Sequence, residues 1–132
     1  MNKRTKKYMT DQSEGIFDEL KSFGLSVYED EVAEDEEEQL FNSDKYNFFT
    51  IEYSNINATE SPTQLSQIII IDYYSEDRHD VWEVVVDVIT KVKNIKAVAF
   101  DRARKERLRM SESERYIDRV SIVFKRVIKL EC

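Results

Sequence analysis

Residues 72–83 hold the side chains of this sequence that acid–base or metal chemistry would use. Four of the five carboxylates in this range form the candidate group together with the only histidine: Asp72, Asp77, Asp80, Glu83 and His79. The carboxylates could bind a divalent metal, as in nucleases, and the imidazole is the one group available for a histidine-dependent mechanism. Acidic residues also suit the first turn of a helix, because the helix dipole favours negative charge there. We therefore predict a structural role for this group.

Other catalytic motifs do not occur in the sequence. Glycine stands only at positions 15 and 24, so a phosphate-binding glycine loop cannot be assembled, and no Walker, dinucleotide, zinc or nucleophile-elbow pattern is found. Cys132 is the only cysteine, and its place at the last position of the sequence argues against a fixed nucleophile. We predict a protein that is not an enzyme and that needs no cofactor or metal.

The composition predicts one soluble domain over residues 1–132. Hydrophobic residues make up 41% of the chain, which is enough for a core, and 132 residues suit a single domain. No run approaches the ~20 apolar residues that cross a bilayer. A single cysteine leaves no intrachain disulfide, so we expect a reducing cytoplasm and no membrane partner.

Charge is unevenly distributed along the chain. The net charge is −7, but residues 1–77 hold 6 Lys or Arg and 18 Asp or Glu, whereas residues 78–132 hold 14 and 9. A molecule with an acidic part and a basic part can attract copies of itself head to tail, and such contacts can close into a ring. Ordinary solvated surface charge is the alternative interpretation.

The N-terminal part is predicted to contain one helix and one short strand. Residues 1–9 predict a disordered tail, because four basic residues stand among polar ones. A helix is expected to begin at Thr10 and Asp11, with a capping-box spacing to Glu14, and to stop at Gly24. Residues 25–28 then predict a short strand.

An acidic run follows, and we predict a mobile loop over residues 29–44. Positions 29–38 carry eight acidic side chains in ten, which repel one another and have no apolar period to anchor them. A calcium site is the weaker alternative, because the spaced ligands and central glycine of the known calcium loop are absent. The residues proposed for contact with a partner are Glu34, Asp35, Glu36, Glu37 and Glu38.

Two runs rich in aromatic and β-branched residues, 46–53 and 65–74, predict a pair of strands. The connector, residues 54–64, is too long for a tight turn, so we predict a hairpin with a long, flexible tip that orders on docking. The tip residues assigned to this role are Asn55, Asn57, Thr59, Glu60 and Thr63.

Four consecutive isoleucines, residues 68–71, put apolar groups on both faces of the second strand. This pattern predicts a central strand with a helix on one face and a second layer or a neighbouring subunit on the other. A helix is expected over residues 78–93, with Asp77 as its N-cap and an apolar stripe that includes Trp82.

Residues 95–100 and 116–128 predict two closing strands, joined by a polar linker over residues 102–115. The predicted fold is therefore α+β: a small antiparallel or mixed sheet of about four to five strands, with an N-terminal helix and a central helix on one face and a long hairpin loop.

The linker begins with a basic run. Nucleic-acid phosphates would be one partner for it, but the overall charge is negative and no aromatic residues interleave with the arginines. We therefore expect a protein partner with an acidic surface, such as another copy of the chain. The residues assigned to this subunit or partner interface are Arg102, Arg104, Lys105, Arg107 and Arg109.

Two blocks resemble a known family. IIIIDYYSEDRHDVWEVVVDVITKV (68–92) and DRARKERLRMSESERYIDRVSIVFKR (101–126) are similar to the central strand and helix and to the closing block of the tail-completion, or tail-terminator, proteins of long-tailed bacteriophages. The likeness rests on the order of elements over about half the chain. The acidic run has no counterpart in that family.

The resemblance implies a homo-oligomeric ring, a hexamer, that caps the major tail-tube protein and meets the head connector protein. DNA would only pass through the lumen, which the acidic loop would line. The place of action would be the tail–head junction of the virion, after assembly in the host cytoplasm. Another neck component, namely a head-closure or adaptor protein, is the nearest alternative; a metal-dependent nuclease and a free-standing regulatory binding module are the others.

Overall fold

In the part of the chain that the structure describes, the fold comprises one five-stranded sheet and two helices. The computed structural model describes residues 3–30, 46–109 and 116–130. The elements are α1 (Lys3–Lys21), β1 (Ser26–Glu29), β2 (Asn47–Ala58), β3 (Gln64–Ser75), α2 (Val81–Val92), β4 (Val98–Arg109) and β5 (Tyr116–Lys129). The strand order is β1-β2-β3-β5-β4, and only β1 and β2 are parallel. The predicted α+β class is confirmed, and the sheet is of the mixed kind.

The isoleucine run lies in β3, the central strand. Ile69, Ile71 and Tyr73 are fully buried in one cluster with side chains from α1 and α2, so both helices pack on the same face. Ile68 and Ile70 point to the opposite face, because side chains alternate along a strand, and they are partly buried there. The prediction of a central strand with two apolar faces is confirmed.

The opposite face of the sheet carries a small aromatic cluster at one end. Phe48 stacks on Tyr74, with ring centroids 4.6 Å apart, and meets Tyr28 edge to face. Ile117 and Tyr46 complete the cluster. Further along, this face carries Ile70 and the buried Val123 as well as polar groups, and the hydroxyl of Ser121 donates to Asp72 across the strands. The second face is therefore mixed in character, and neither helix packs on it.

Helix α1 begins seven residues earlier than predicted, at Lys3. The disordered tail is therefore wrong for residues 3–9, and residues 1–2 lie outside the described part of the chain. Thr5 is buried, and its hydroxyl donates to the Lys129 carbonyl at the end of β5. This contact with a residue distant in the sequence holds the first turn of α1, which is basic and has no apolar stripe of its own. The predicted capping box is also wrong, because Asp11 lies inside the helix; the stop at Gly24, with φ of 76°, is confirmed.

Helix α2 is shorter than predicted and starts at Val81, with Asp80 at the N-cap position in place of Asp77. The carboxylate of Asp80 makes no capping bond, because it accepts two hydrogen bonds from Arg78 at 2.8 and 2.7 Å. The apolar stripe is narrower than the sequence predicted. Trp82 is 50% exposed, since the core needs only the face formed by the buried valines.

Gly15 gives a stability prediction, because it lies in the interior of α1 with room for a methyl group. A Cβ there would be 3.5 Å from the nearest atom of Ile95, an ordinary contact. Glycine inside a helix costs about 0.5–1 kcal/mol relative to alanine. Gly15→Ala should therefore raise the free energy of unfolding, measured by urea denaturation, by about that amount; an unchanged or lowered midpoint would contradict the packing described.

Ala97 gives the converse prediction. It has φ of 63° in the turn before β4, and its carbonyl accepts from the Val127 amide at 2.9 Å. A left-handed backbone conformation costs a residue with a Cβ roughly 1–2 kcal/mol, and glycine avoids this cost. Glycine also makes the unfolded chain more flexible, which offsets part of the gain in stability. Ala97→Gly should stabilise the protein by up to about 1 kcal/mol in the same urea titration. A loss of stability would show that the turn does not have this geometry.

Candidate interaction surface on the basic edge strand

The basic run lies in a strand and not in a linker. β4 spans Val98–Arg109, twice the length of the predicted strand, and it pairs along its whole length with β5 at one edge of the sheet. The prediction of a polar linker over residues 102–109 is therefore wrong; residues 110–115 lie outside the described part. Two features explain why this charged run forms a strand. The 14-residue β5 offers backbone hydrogen-bonding groups along a long edge. A strand at the edge of a sheet also tolerates charged side chains, because much of it is exposed to water.

The cations of β4 are divided between the two faces of the sheet. The register shifts between Phe100 and Arg102, which reverses the side-chain alternation at that point. Arg104 then pairs with Ser121, which puts it on the face away from the helices. Lys105 pairs with the fully buried Val120 and lies on the helix side. The β4 edge therefore presents positive charge on both faces of the sheet.

Ion pairs to β5 hold part of this charge in place. Asp118 is shared, because its carboxylate lies 3.0 Å from Arg107 and 4.0 Å from Lys105. The hydrogen bond to Asp118 raises the pKa of the Arg107 guanidinium. Arg119 on β5 reaches back to Glu106 at 2.9 Å. Cross-strand pairs of this kind stabilise a sheet modestly and fix the positions of the charged groups.

β4 carries an excess of cations, with five basic and two acidic residues. Arg102 pairs with its neighbour Asp101, but both side chains are largely exposed. Arg104 is exposed, and within the described residues no carboxylate lies within ion-pair distance of it. The edge is therefore suited to an acidic partner surface.

The loop predicted between the first two strands is wrong in its length. β2 continues to Ala58 and β3 starts at Gln64, so Asn55 and Asn57 lie in a strand and only residues 59–63 form the turn. The single proton of the Thr59 hydroxyl lies between the carbonyls of Ser61 and Gln64, and the hydroxyl oxygen accepts from the Ser61 amide. Polar side chains that predicted a flexible loop thus close a tight turn by local hydrogen bonding.

The structure separates the predicted interface groups. β5 pairs with Arg109 at Tyr116 and with Gln64, next to the hairpin turn, at Lys129. The basic end of β4 and the turn therefore lie at opposite ends of the sheet, about 40 Å apart at the usual rise of a strand. Glu34, Asp35, Glu36, Glu37 and Glu38 lie outside the described residues, as does most of the 29–44 loop; Glu29 ends β1.

The carboxylates considered for metal chemistry do not converge. Asp72 lies on the sheet face opposite the helices, bonded to Ser121, whereas Asp80 lies at the start of α2 on the other side. The hydrogen bond from Arg78 lowers the pKa of Asp80. Among residues 3–30, 46–109 and 116–130, no group of three His, Cys, Asp or Glu side chains is placed to hold a metal ion.

The sequence interpretation misplaced Trp82 and did not identify Val86 or Arg126. Trp82 and Val86 lie four positions apart on the outer side of α2, and both are half-exposed. Val86 falls outside the predicted apolar stripe, but no sequence signal distinguishes Trp82 from the buried valines. Arg126 is buried in β5. Its position could have been found, because it occupies the core-facing place in the alternation between Phe124 and Ile128.

No family model matches this sequence, and no curated protein matches it. In the described part of the chain, neither helix combines the length and apolar character needed to cross a bilayer.

The order of the hairpin turn can be tested at Thr59. Thr59→Ala removes one donated hydrogen bond, whose proton is shared between two carbonyls, and one accepted from the Ser61 amide; each is worth about 0.5–1.5 kcal/mol net. It should lower the free energy of unfolding by about 1–2 kcal/mol, and amide hydrogen exchange of residues 60–64 should become faster. Asn57→Ala, at an exposed position of β2, is the matched control. Equal effects of the two substitutions would restore the flexible-tip interpretation.

Proposed function

We propose that this chain is a structural subunit that assembles through its basic edge strand, and that the assembly is the ring completing the tail tube of a long-tailed bacteriophage. The excess of cations on β4 is the observation that carries the assembly part of this proposal. The phage part is supported by the resemblance of residues 68–92 and 101–126 to tail-terminator proteins.

The character of the edge favours contact through side chains over extension of the sheet. Charged residues on an edge strand discourage backbone pairing with a second sheet. A row of cations held by Asp118 and Glu106 is instead preorganised to meet carboxylates across an interface. Copies of this chain offer such a surface, because residues 29–38 carry eight acidic side chains.

The second face of the sheet supports the same proposal. Ile68 and Ile70 are only partly buried there, and neither helix covers them. A ring subunit needs two contact regions, one for each neighbour. The β4 edge would provide one of them and the acidic run 29–38 the other, and this face would add apolar contact area. The tail-tube protein and the head connector would meet the two rims of the ring. DNA would pass through the lumen without specific contacts.

Charge reversal on β4 tests the proposal. Arg102→Glu with Arg104→Glu inverts two exposed cations, and Lys93→Glu with Lys96→Glu inverts two exposed cations outside β4 as the matched control. The β4 variant should weaken self-association and binding to the major tail-tube protein at least about tenfold, because like charges then face each other. The control should change either by less than about twofold.

The measurement is the mass of the chain in solution, by sedimentation or native mass spectrometry, alone and mixed with tail-tube protein. A ring that forms only on the tube is compatible with the proposal, since weakly associating subunits can order on a template. A wild-type chain that stays monomeric and unbound under both conditions would overturn it. Unchanged assembly of the β4 variant would remove β4 as the interface.

A further inference from the structure

A pocket opens between α1 and β5, near the end of the sheet where Arg126 of β5 pairs with Gln67 of β3. Its volume is about 340 Å³, and five of its lining residues lie on one side of α1. The sixth, Arg126, comes from β5. The residues are Lys6, Met9, Thr10, Ser13, Glu14 and Arg126.

Arg126 is a buried cation with neutral partners only. It is 4% exposed. Its Nε and Nη2 donate to Gln67 Oε1 at 3.0 and 2.7 Å, and its Nη1 donates to Ser13 Oγ at 3.2 Å and to the Met9 carbonyl at 3.4 Å. The guanidinium carbon lies 4.9 Å from the centre of the Tyr53 ring. Burial lowers the pKa of Arg126.

This arrangement leaves a positive charge without a counter-ion. In the described residues no carboxylate lies within 4.0 Å of the Arg126 guanidinium. A buried charge held only by neutral acceptors keeps much of its desolvation cost. An anion that entered the pocket would offset that cost, and the attraction would be strong because water is largely excluded around Arg126.

Hydrogen-bond donors remain for such an anion. A guanidinium has five N–H groups, and the four contacts to Gln67, Ser13 and Met9 leave one N–H on Nη2 without an acceptor in the described structure. The ammonium of Lys6 also borders the pocket.

The charges around the pocket favour a monoanion. Lys6 and Arg126 are cations and Glu14 is an anion, so the lining carries one net positive charge. A single carboxylate would neutralise it. A phosphate dianion would leave an excess negative charge close to Glu14.

We propose that the pocket between α1 and β5 binds a carboxylate. The source is either a small free carboxylate or the side chain of a Glu or Asp from another polypeptide. The site does not involve β4 and is independent of the proposed ring, so that either proposal can fail alone.

Substitutions at Thr10 test the site with little risk to folding, because this residue is exposed on α1. Thr10→Glu places a carboxylate at the mouth of the pocket, where it can pair with Lys6 and Arg126 and take the place of the ligand. Thr10→Gln has nearly the same size without the charge. Arg104→Gln removes a cation outside the pocket and reports on nonspecific attraction.

Binding is measured by calorimetry and by thermal unfolding of the full chain, with sodium acetate and with a capped tripeptide, Gly-Glu-Gly, at matched ionic strength. We expect saturable binding of wild type with a dissociation constant on the order of millimolar, as suits so small a ligand. Thr10→Glu should weaken it at least about tenfold, whereas Thr10→Gln and Arg104→Gln should change it less than about threefold.

The two ligands distinguish the source. Binding of acetate without binding of the tripeptide would indicate that the ligand is a small free carboxylate. Tighter binding of the tripeptide than of its Gly-Gln-Gly analogue would indicate that the ligand is an acidic side chain. Binding of neither probe to wild type, or equal binding to wild type and Thr10→Glu, would overturn the proposal.

Discussion

Pairing between β3 and β5 is the constraint on which the rest of the structure depends. The two central strands match over twelve consecutive residues, from Gln64 opposite Lys129 to Ser75 opposite Asp118. This register puts Ile69 opposite Phe124 and Ile71 opposite Ile122, so that one face becomes continuously apolar. Both helices pack on that face, because their apolar side chains are removed from water there. A shift of one residue would turn the same groups to the other side.

The length of β5 also explains the edge of the sheet. β5 is 14 residues long, and on the side away from β3 its backbone N–H and C=O groups need hydrogen-bond partners over its whole length. β4 supplies these partners although it is highly charged. The charged side chains keep the outer edge from extending into another sheet. The same feature therefore serves the stability of the monomer and gives the proposed assembly its positively charged contact surface.

Arg126 is a second consequence of the β3–β5 register. It stands opposite Gln67 on the core-facing side, at the point where the apolar face ends and α1 crosses β5. The amide of Gln67 and the ring of Tyr53 make an arginine tolerable in that place, and α1 covers it through the Met9 carbonyl and the Ser13 hydroxyl. An extended α1 and a buried arginine thus belong together. The local sequence of residues 3–9 does not reveal this helical turn, because the contact that holds it comes from the distant Lys129.

The amino-acid sequence by itself determined the fold class, the central place of the isoleucine run and the core-facing side of α2, because hydrophobic periodicity is a local property. It did not determine where α1 begins, how far β2, β3 and β4 extend, or that Thr59 closes a tight turn. Those features depend on partners distant in the chain: Lys129 for Thr5, β5 for the basic run, and the paired strands for the turn. The composition of residues 102–109 suggested a candidate interface, but only the register of β4 against β5 decided which cations are paired and which face outward.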